Sequence, residues 1–162
     1  MQANVNGFNM NYEISGNDSK PWLTFSNSLA TDMRMWDGQV AALADDFHIL
    51  RYDKRGHGKS DSPPGPYTLE QLAGDVVALW DRLGIKKSHF VGLSIGGMTG
   101  QPLLLNHADR LDAVVLTNTM ALCRPEFQAA WEDRIGVAEK KGMDALVEPT
   151  MERWFTEGFR NT

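Results

Sequence analysis

The 162-residue chain has one cysteine, Cys123, so it cannot form an internal disulfide, which agrees with a reducing compartment. Nothing in its surroundings marks Cys123 as a nucleophile, and it is read as structural or incidental. No apolar run is long enough to cross a bilayer. The opening Met1-Gln2-Ala3-Asn4-Val5-Asn6-Gly7 lacks the basic and apolar blocks of a secretory signal. Positive charge is also in short supply: 16 Lys and Arg stand against 21 Asp and Glu, a net charge of -5, with both signs spread along the chain. No basic stripe suits nucleic acid. There is no internal repeat and no low-complexity segment. What remains is 42% hydrophobic, enough for a buried core. The expectation is a cytoplasmic domain with neither membrane nor nucleic-acid partner.

Phe8-Asn9-Met10-Asn11-Tyr12-Glu13-Ile14 alternates apolar and polar residues, the period of a half-exposed strand. With Asn6-Gly7 as the turn, residues 5–14 read as an antiparallel hairpin. Short apolar runs at 22–25, 47–52, 89–91 and 111–116 read as further strands, and helices are expected over 36–44 and 95–106. Between 68 and 83 the pattern is clearest. Thr68 and Gln71 form a capping box, and Leu69, Leu72, Ala73, Val76, Val77, Trp80 and Leu83 make one apolar face before Gly84 stops the helix. Strands separated by helices predict right-handed crossovers and a mostly parallel sheet covered by helices. Beyond residue 124 the pattern is helical, with stretches near 125–141 and 143–155 broken at Gly142. Residues 1–120 are therefore assigned to an α/β core and 121–162 to the start of a helical lid.

Gly92-Leu93-Ser94-Ile95-Gly96 lies where a strand runs into a helix. The Gly-x-Ser-x-Gly pattern lets the chain turn sharply and present a serine hydroxyl. Ser94 is expected in a strained, exposed conformation beside the first amides of the new helix. A serine attacking a carbonyl needs a base for its proton and donors for the developing oxyanion. The Ile95 amide is one such donor. The other is expected on the loop after strand 22–25, from Ser28 with Leu29 next to it. The crossover through Asp53 and helix 68–83 sets those strands side by side, where the sheet order reverses and open α/β sheets bind ligands.

Together, Ser26-Asn27-Ser28-Leu29-Ala30-Thr31-Asp32 with Trp36, Asp53-x-Arg55-Gly56-His57-Gly58-x-Ser60 and Gly92-Leu93-Ser94-Ile95-Gly96-Gly97-Met98 resemble the α/β-hydrolase superfamily. The Ser-Asn-Ser loop, the Gly-Leu-Ser-x-Gly-Gly-Met turn and Glu152-Arg153-Trp154-Phe155-Thr156-x-x-Phe159-Arg160 are similar to 3-oxoadipate enol-lactonases. The resemblance implies lactone opening by Ser94 through an acyl-enzyme, with no metal or organic cofactor. A general carboxylesterase, a carbon–carbon bond hydrolase and a non-catalytic binding module of the same fold stay open as alternatives. An aspartate nucleophile at this turn, as in epoxide hydrolases and haloalkane dehalogenases, is excluded by Ser94.

The family also implies an acid and a histidine base on loops beyond the lid, and neither has a counterpart here. Of the four histidines, His48 begins its strand, ~16 Å from the active edge at ~3.3 Å per residue. His107 ends the helix that starts at the serine, ~18 Å away. His89 lies down the serine strand. His57 sits on a loop at the correct edge but two strands over, near 10 Å at ~4.8 Å per step, and is read with Asp53 and Arg55 as ordering that loop. The expectation is thus a chain truncated within its lid that needs a complementary C-terminal chain or fragment. The small-molecule substrate, a lactone or ester, is expected to touch Trp131, Arg134 and Trp154. Arg134 or Arg153 would face a substrate carboxylate.

Overall fold

Asn6 and Gly7 both take left-handed backbone, with φ of 47° and 85°, and this turn folds β1 (Gln2–Val5) against β2 (Phe8–Gly16) as an antiparallel pair. The computed structural model describes residues 1–162, the side chain of Glu126 excepted. Four more strands follow: β3 (Trp22–Ser26), β4 (His48–Tyr52), β5 (Ser88–Leu93) and β6 (Leu111–Thr117). The sheet order is β1-β2-β4-β3-β5-β6. β1 pairs with β2 and β2 with β4 antiparallel, and β4, β3, β5 and β6 run parallel to one another. The expected mostly parallel sheet with an N-terminal hairpin is therefore present, and the serine strand β5 lies beside β3.

Alternation along each strand sends residues to two helical layers. Leu23, Phe25 and Ile49 pack with Trp36, Val40 and Leu43 of α1 (Asp37–Leu43) and the 3-10 turn before it, Met33–Trp36. Leu50, Tyr52 and Phe90 point the other way. They pack with Val76, Leu79 and Trp80 of α2 (Leu69–Arg82) and Leu103 of α3 (Ile95–Asn106). The Thr68–Gln71 capping box closes on both sides. The buried face of α2 includes Leu79, which is fully buried and which the expected stripe left out. Polar groups in this layer are answered within it: Thr24 accepts the Trp80 Nε1–H at 2.9 Å, and the Tyr52 hydroxyl bonds to Ser26 Oγ at 2.7 Å. The helix expected over 36–44 instead begins as a 3-10 turn, because the Asp32 side chain caps the Arg34 amide three residues earlier.

The chain divides into two compact units, Met1–Ala121 and Leu122–Thr162. The second is wholly helical. Pro125 starts α4 (Pro125–Lys141), its fixed φ suiting a first turn. The stretch expected as one helix over 143–155 is a 3-10 turn, Met143–Leu146, followed by α5 (Val147–Trp154). A short α6 (Glu157–Arg160) closes the unit, with Phe155 stacked on Phe159 and Arg160 beside Glu148 and Glu152. Among the described residues no helix is long and apolar enough to cross a membrane. Cys123 is exposed.

Arg55 and Asp75 form a buried two-pronged ion pair at 2.6 and 2.7 Å, and Asn6 adds a bond to Asp75 at 2.9 Å. The guanidinium also stacks over Phe8 and Tyr67. This joins the hairpin turn, α2 and the loop after β4. Asp75→Ala would strand a buried cation and should cost about 3–5 kcal/mol in chemical denaturation; a change under about 1 kcal/mol would show that the pair is not a structural tie.

Candidate active site

β5 ends at Leu93, α3 begins at Ile95, and Ser94 makes the whole turn between them with φ 55° and ψ -118°. A non-glycine residue is held there only by its surroundings. The Ser94 N–H donates to Thr117 O at 3.0 Å at the end of β6, and the Ser94 carbonyl accepts the Met98 N–H at 2.9 Å. Both backbone groups are thus fixed while the half-buried side chain caps nothing. Its hydroxyl makes no hydrogen bond among the described residues.

Two glycines permit this junction by lacking a side chain. A Cβ built on Gly92 would fall inside the Gly96 carbonyl, and one built on Gly96 would fall inside the Ser26 carbonyl and within 2.9 Å of Asn27 O. With β3 and β5 in parallel register, Ser26 opposite Gly92, the first turn of α3 presses on the loop that leaves β3. Ser94, Ile95, Ser28 and Leu29 thereby share one edge of the sheet, where the strand order reverses. The first amides of α3 lack carbonyl partners and carry the positive end of the helix dipole.

Of the two residues expected to supply the β3-loop donor, Ser28 and Leu29, only one has its amide engaged within the chain. The Ser28 N–H is engaged by the Met35 sulfur at 3.3 Å, which also accepts the Thr31 hydroxyl at 3.2 Å. The Leu29 N–H has no acceptor among the described residues, nor has that of Ile95. The loop is held by its own bonds: Asn27 Nδ2 donates to Thr31 O at 2.7 Å and Thr31 Oγ1 to Ser28 O at 2.9 Å.

Loop 53–60 braces the same region. Asp53 accepts the Met33 and Lys59 amides and the Asn11 side chain at 2.8–3.0 Å, confirming its expected ordering role. Lys54, which the sequence reading passed over, is buried with its ammonium donating to Asn27 O at 2.5 Å. Burial pushes the lysine down to about 7, against the opposing charge of Asp53. The only sequence signal was its place between two residues that a turn must satisfy. His57 receives the Ala30 N–H at 3.2 Å, and burial, then the Lys54 charge, hold it below the usual histidine range.

No histidine reaches Ser94. His48 stacks on Trp22 at 3.7 Å, His89 meets the Phe47 ring edge-on at 5.6 Å, His107 ends α3 and His57 is committed to Ala30. Among the described residues no group of three or more His, Cys, Asp or Glu side chains is disposed to hold a metal ion. In the helical unit, Trp131 and Arg134 lie together on α4, the guanidinium 4.7 Å above the indole, and Trp154 ends α5 with its ring exposed. Burial, then the charge of Arg153, lowers the proton affinity of Arg134.

Residues 21–142 match the family described as the alpha/beta hydrolase fold. The chain is 41% identical to 3-oxoadipate enol-lactonase 2 of Acinetobacter baylyi over 150 residues, covering 93% of this chain and 55% of that protein. To 3-oxoadipate enol-lactonase 1 of the same organism it is 38% identical, covering 98% of this chain and 59% of that protein. The crystal structure of the enol-lactonase from Burkholderia xenovorans LB400 superposes with a TM-score of 0.93 at 48% identity, over 99% of this chain and 62% of that one. The chain thus spans little more than half the length of the two Acinetobacter relatives.

Gly96→Ala should destabilise the first unit by about 1–3 kcal/mol in chemical denaturation, because backbone rather than a yielding side chain is in the way. Gly74→Ala, in α2 with open space around it, should stabilise by about 0.5–1 kcal/mol. Equal effects at the two positions would contradict the close approach.

Proposed function

The chain belongs to the alpha/beta hydrolase family, and from that premise we propose that it carries the nucleophile half of a lactone-opening serine hydrolase, with a substrate like 3-oxoadipate enol-lactone. The observation that carries the reading is Ser94, held in a strained turn with an unengaged hydroxyl beside the unengaged amides of Leu29 and Ile95. Its Oγ attacks the lactone carbonyl carbon and gives its proton to a base. The carbonyl oxygen becomes an oxyanion held by the two amides. The ring C–O bond then breaks, the departing enol oxygen takes the proton, and the enol tautomerises to a ketone. Water hydrolyses the remaining acyl ester and regenerates Ser94. No metal or organic cofactor enters these steps.

The base and its acid partner come from outside residues 1–162, in the same polypeptide or in a complementary one. Support for this is that His48, His89 and His57 are engaged elsewhere and His107 lies at the far end of α3, together with the greater length of the relatives. Trp131, Arg134 and Trp154 are assigned to the substrate. The Arg134 guanidinium, with Arg153 near it and no acidic partner among the described residues, suits a carboxylate on the lactone.

In the assembly that includes the completing segment, Ser94→Ala should lower kcat for enol-lactone hydrolysis by about 10³-fold or more, and a fluorophosphonate should add to residue 94 of the unsubstituted protein as read by peptide mass. Retained hydrolysis in S94A, or labelling elsewhere only, would contradict the assignment. Arg134→Leu should raise KM for a carboxylate-bearing lactone by about tenfold or more and leave that for a neutral aryl ester unchanged, since an ion pair to a carboxylate is worth about 1.5–3 kcal/mol. Equal changes for both substrates would remove Arg134 from the site.

A further inference from the structure

We propose that Lys54 and His57 are positioning residues that grip loop 27–31, and that His57 does so only as a neutral imidazole protonated on Nδ1. The role rests on the proposed function in one respect, that this loop supplies the Leu29 donor. The grip itself rests on geometry. Two contacts flank Leu29: Lys54 Nζ donates to Asn27 O at 2.5 Å, and the Ala30 N–H donates to His57 Nε2 at 3.2 Å. Asn27 and Lys54 are both buried. Ala30 has φ 58°, a left-handed conformation that alanine keeps only when held.

The direction of the second contact assigns the tautomer. A backbone amide can only donate, so Nε2 must accept and carry no proton. Nδ1 then holds the hydrogen and donates to Arg55 O at 3.1 Å. Protonating the ring would set two donors face to face and release Ala30. Burial and the Lys54 charge oppose that protonation, while the Arg55 carbonyl and the Asp53 charge favour it. Lys54 itself faces Asp53. Because the folded state holds fewer protons on His57 than the unfolded chain does, the contact is complete above the ordinary histidine value near 6.5 and is lost only as pH falls through the lower midpoint of the folded state. Lys54 behaves differently, since amine and ammonium both retain an N–H for Asn27 O.

A pH titration of this ¹⁵N-labelled chain, reading the His57 ring nitrogens and the amides of residues 28–31, tests this without any substrate. The expected result is the Nδ1–H tautomer, a His57 midpoint below 6.5, and an Ala30 amide shift with the same midpoint. His57→Gln, whose side-chain oxygen accepts but does not titrate, should abolish the Ala30 step, and Lys54→Met should speed exchange of the Ala30 amide at least tenfold. A proton on Nε2, or an Ala30 amide that stays still while His57 titrates, would overturn the proposal. The unsubstituted chain decides this even where a variant does not fold. Co-titration in an assembly that lacks lactonase activity would leave the grip standing and remove the proposed function; activity without co-titration would do the reverse.

Discussion

The site depends on one close approach of backbone to backbone. The first turn of α3 lies against the carbonyls of Ser26 and Asn27 because neither Gly92 nor Gly96 carries a side chain. That contact bends the chain through Ser94 within a single residue and sets the Ile95 amide beside the loop that holds Leu29. Sheet order does the rest, since β3 and β5 are neighbours although helix, strand and loop separate them in sequence. The strain at Ser94 is sustained by ordinary bonds, one to the end of β6 and one into α3. The positive end of the α3 dipole thus lies at the same sheet edge as the loop after β3.

Around this junction the polar groups are layered by task. Asp53 spends its carboxylate on amides at Met33 and Lys59 and on Asn11, so it orders two loops. Arg55 turns away to Asp75 and anchors the loop to α2 and the hairpin. Lys54 and His57 meet the loop after β3. Burying a lysine costs stability unless its charge is answered, and here the answer is a backbone carbonyl with Asp53 nearby. One eight-residue loop therefore serves three neighbours, which explains why it is rich in both charge and glycine.

Much of this was legible in the residues. Period-two alternation gave the hairpin, the Thr68–Gln71 box gave the start of α2, and the glycines around Ser94 gave the turn with its sharp strand–helix junction. Topology, argued from crossovers, correctly put β5 next to β3. What escaped depends on contacts distant in sequence. Nothing near Ser28 announces that Met35 will occupy its amide, because a sulfur acceptor arrives only when the 3-10 turn folds back. Lys54 looks like any surface lysine until strand order buries it. Leu79, three residues after Val76 and seven after Leu72, lies on the same three–four face and belongs to the stripe that omitted it. The 143–155 stretch likewise has helical composition but divides where a 3-10 turn precedes Val147.

The central claim is that Ser94 and the amides of Leu29 and Ile95 form one oxyanion-binding unit. The most direct measurement is a crystal structure of the completed assembly after a phosphonate has added to Ser94, since the bound phosphoryl oxygen takes the place of the oxyanion. The account predicts that oxygen at about 2.7–3.1 Å from the nitrogens of both Leu29 and Ile95, with the Ser28 amide still on Met35. A phosphoryl oxygen held by Ser28, or turned away from the start of α3, would contradict it.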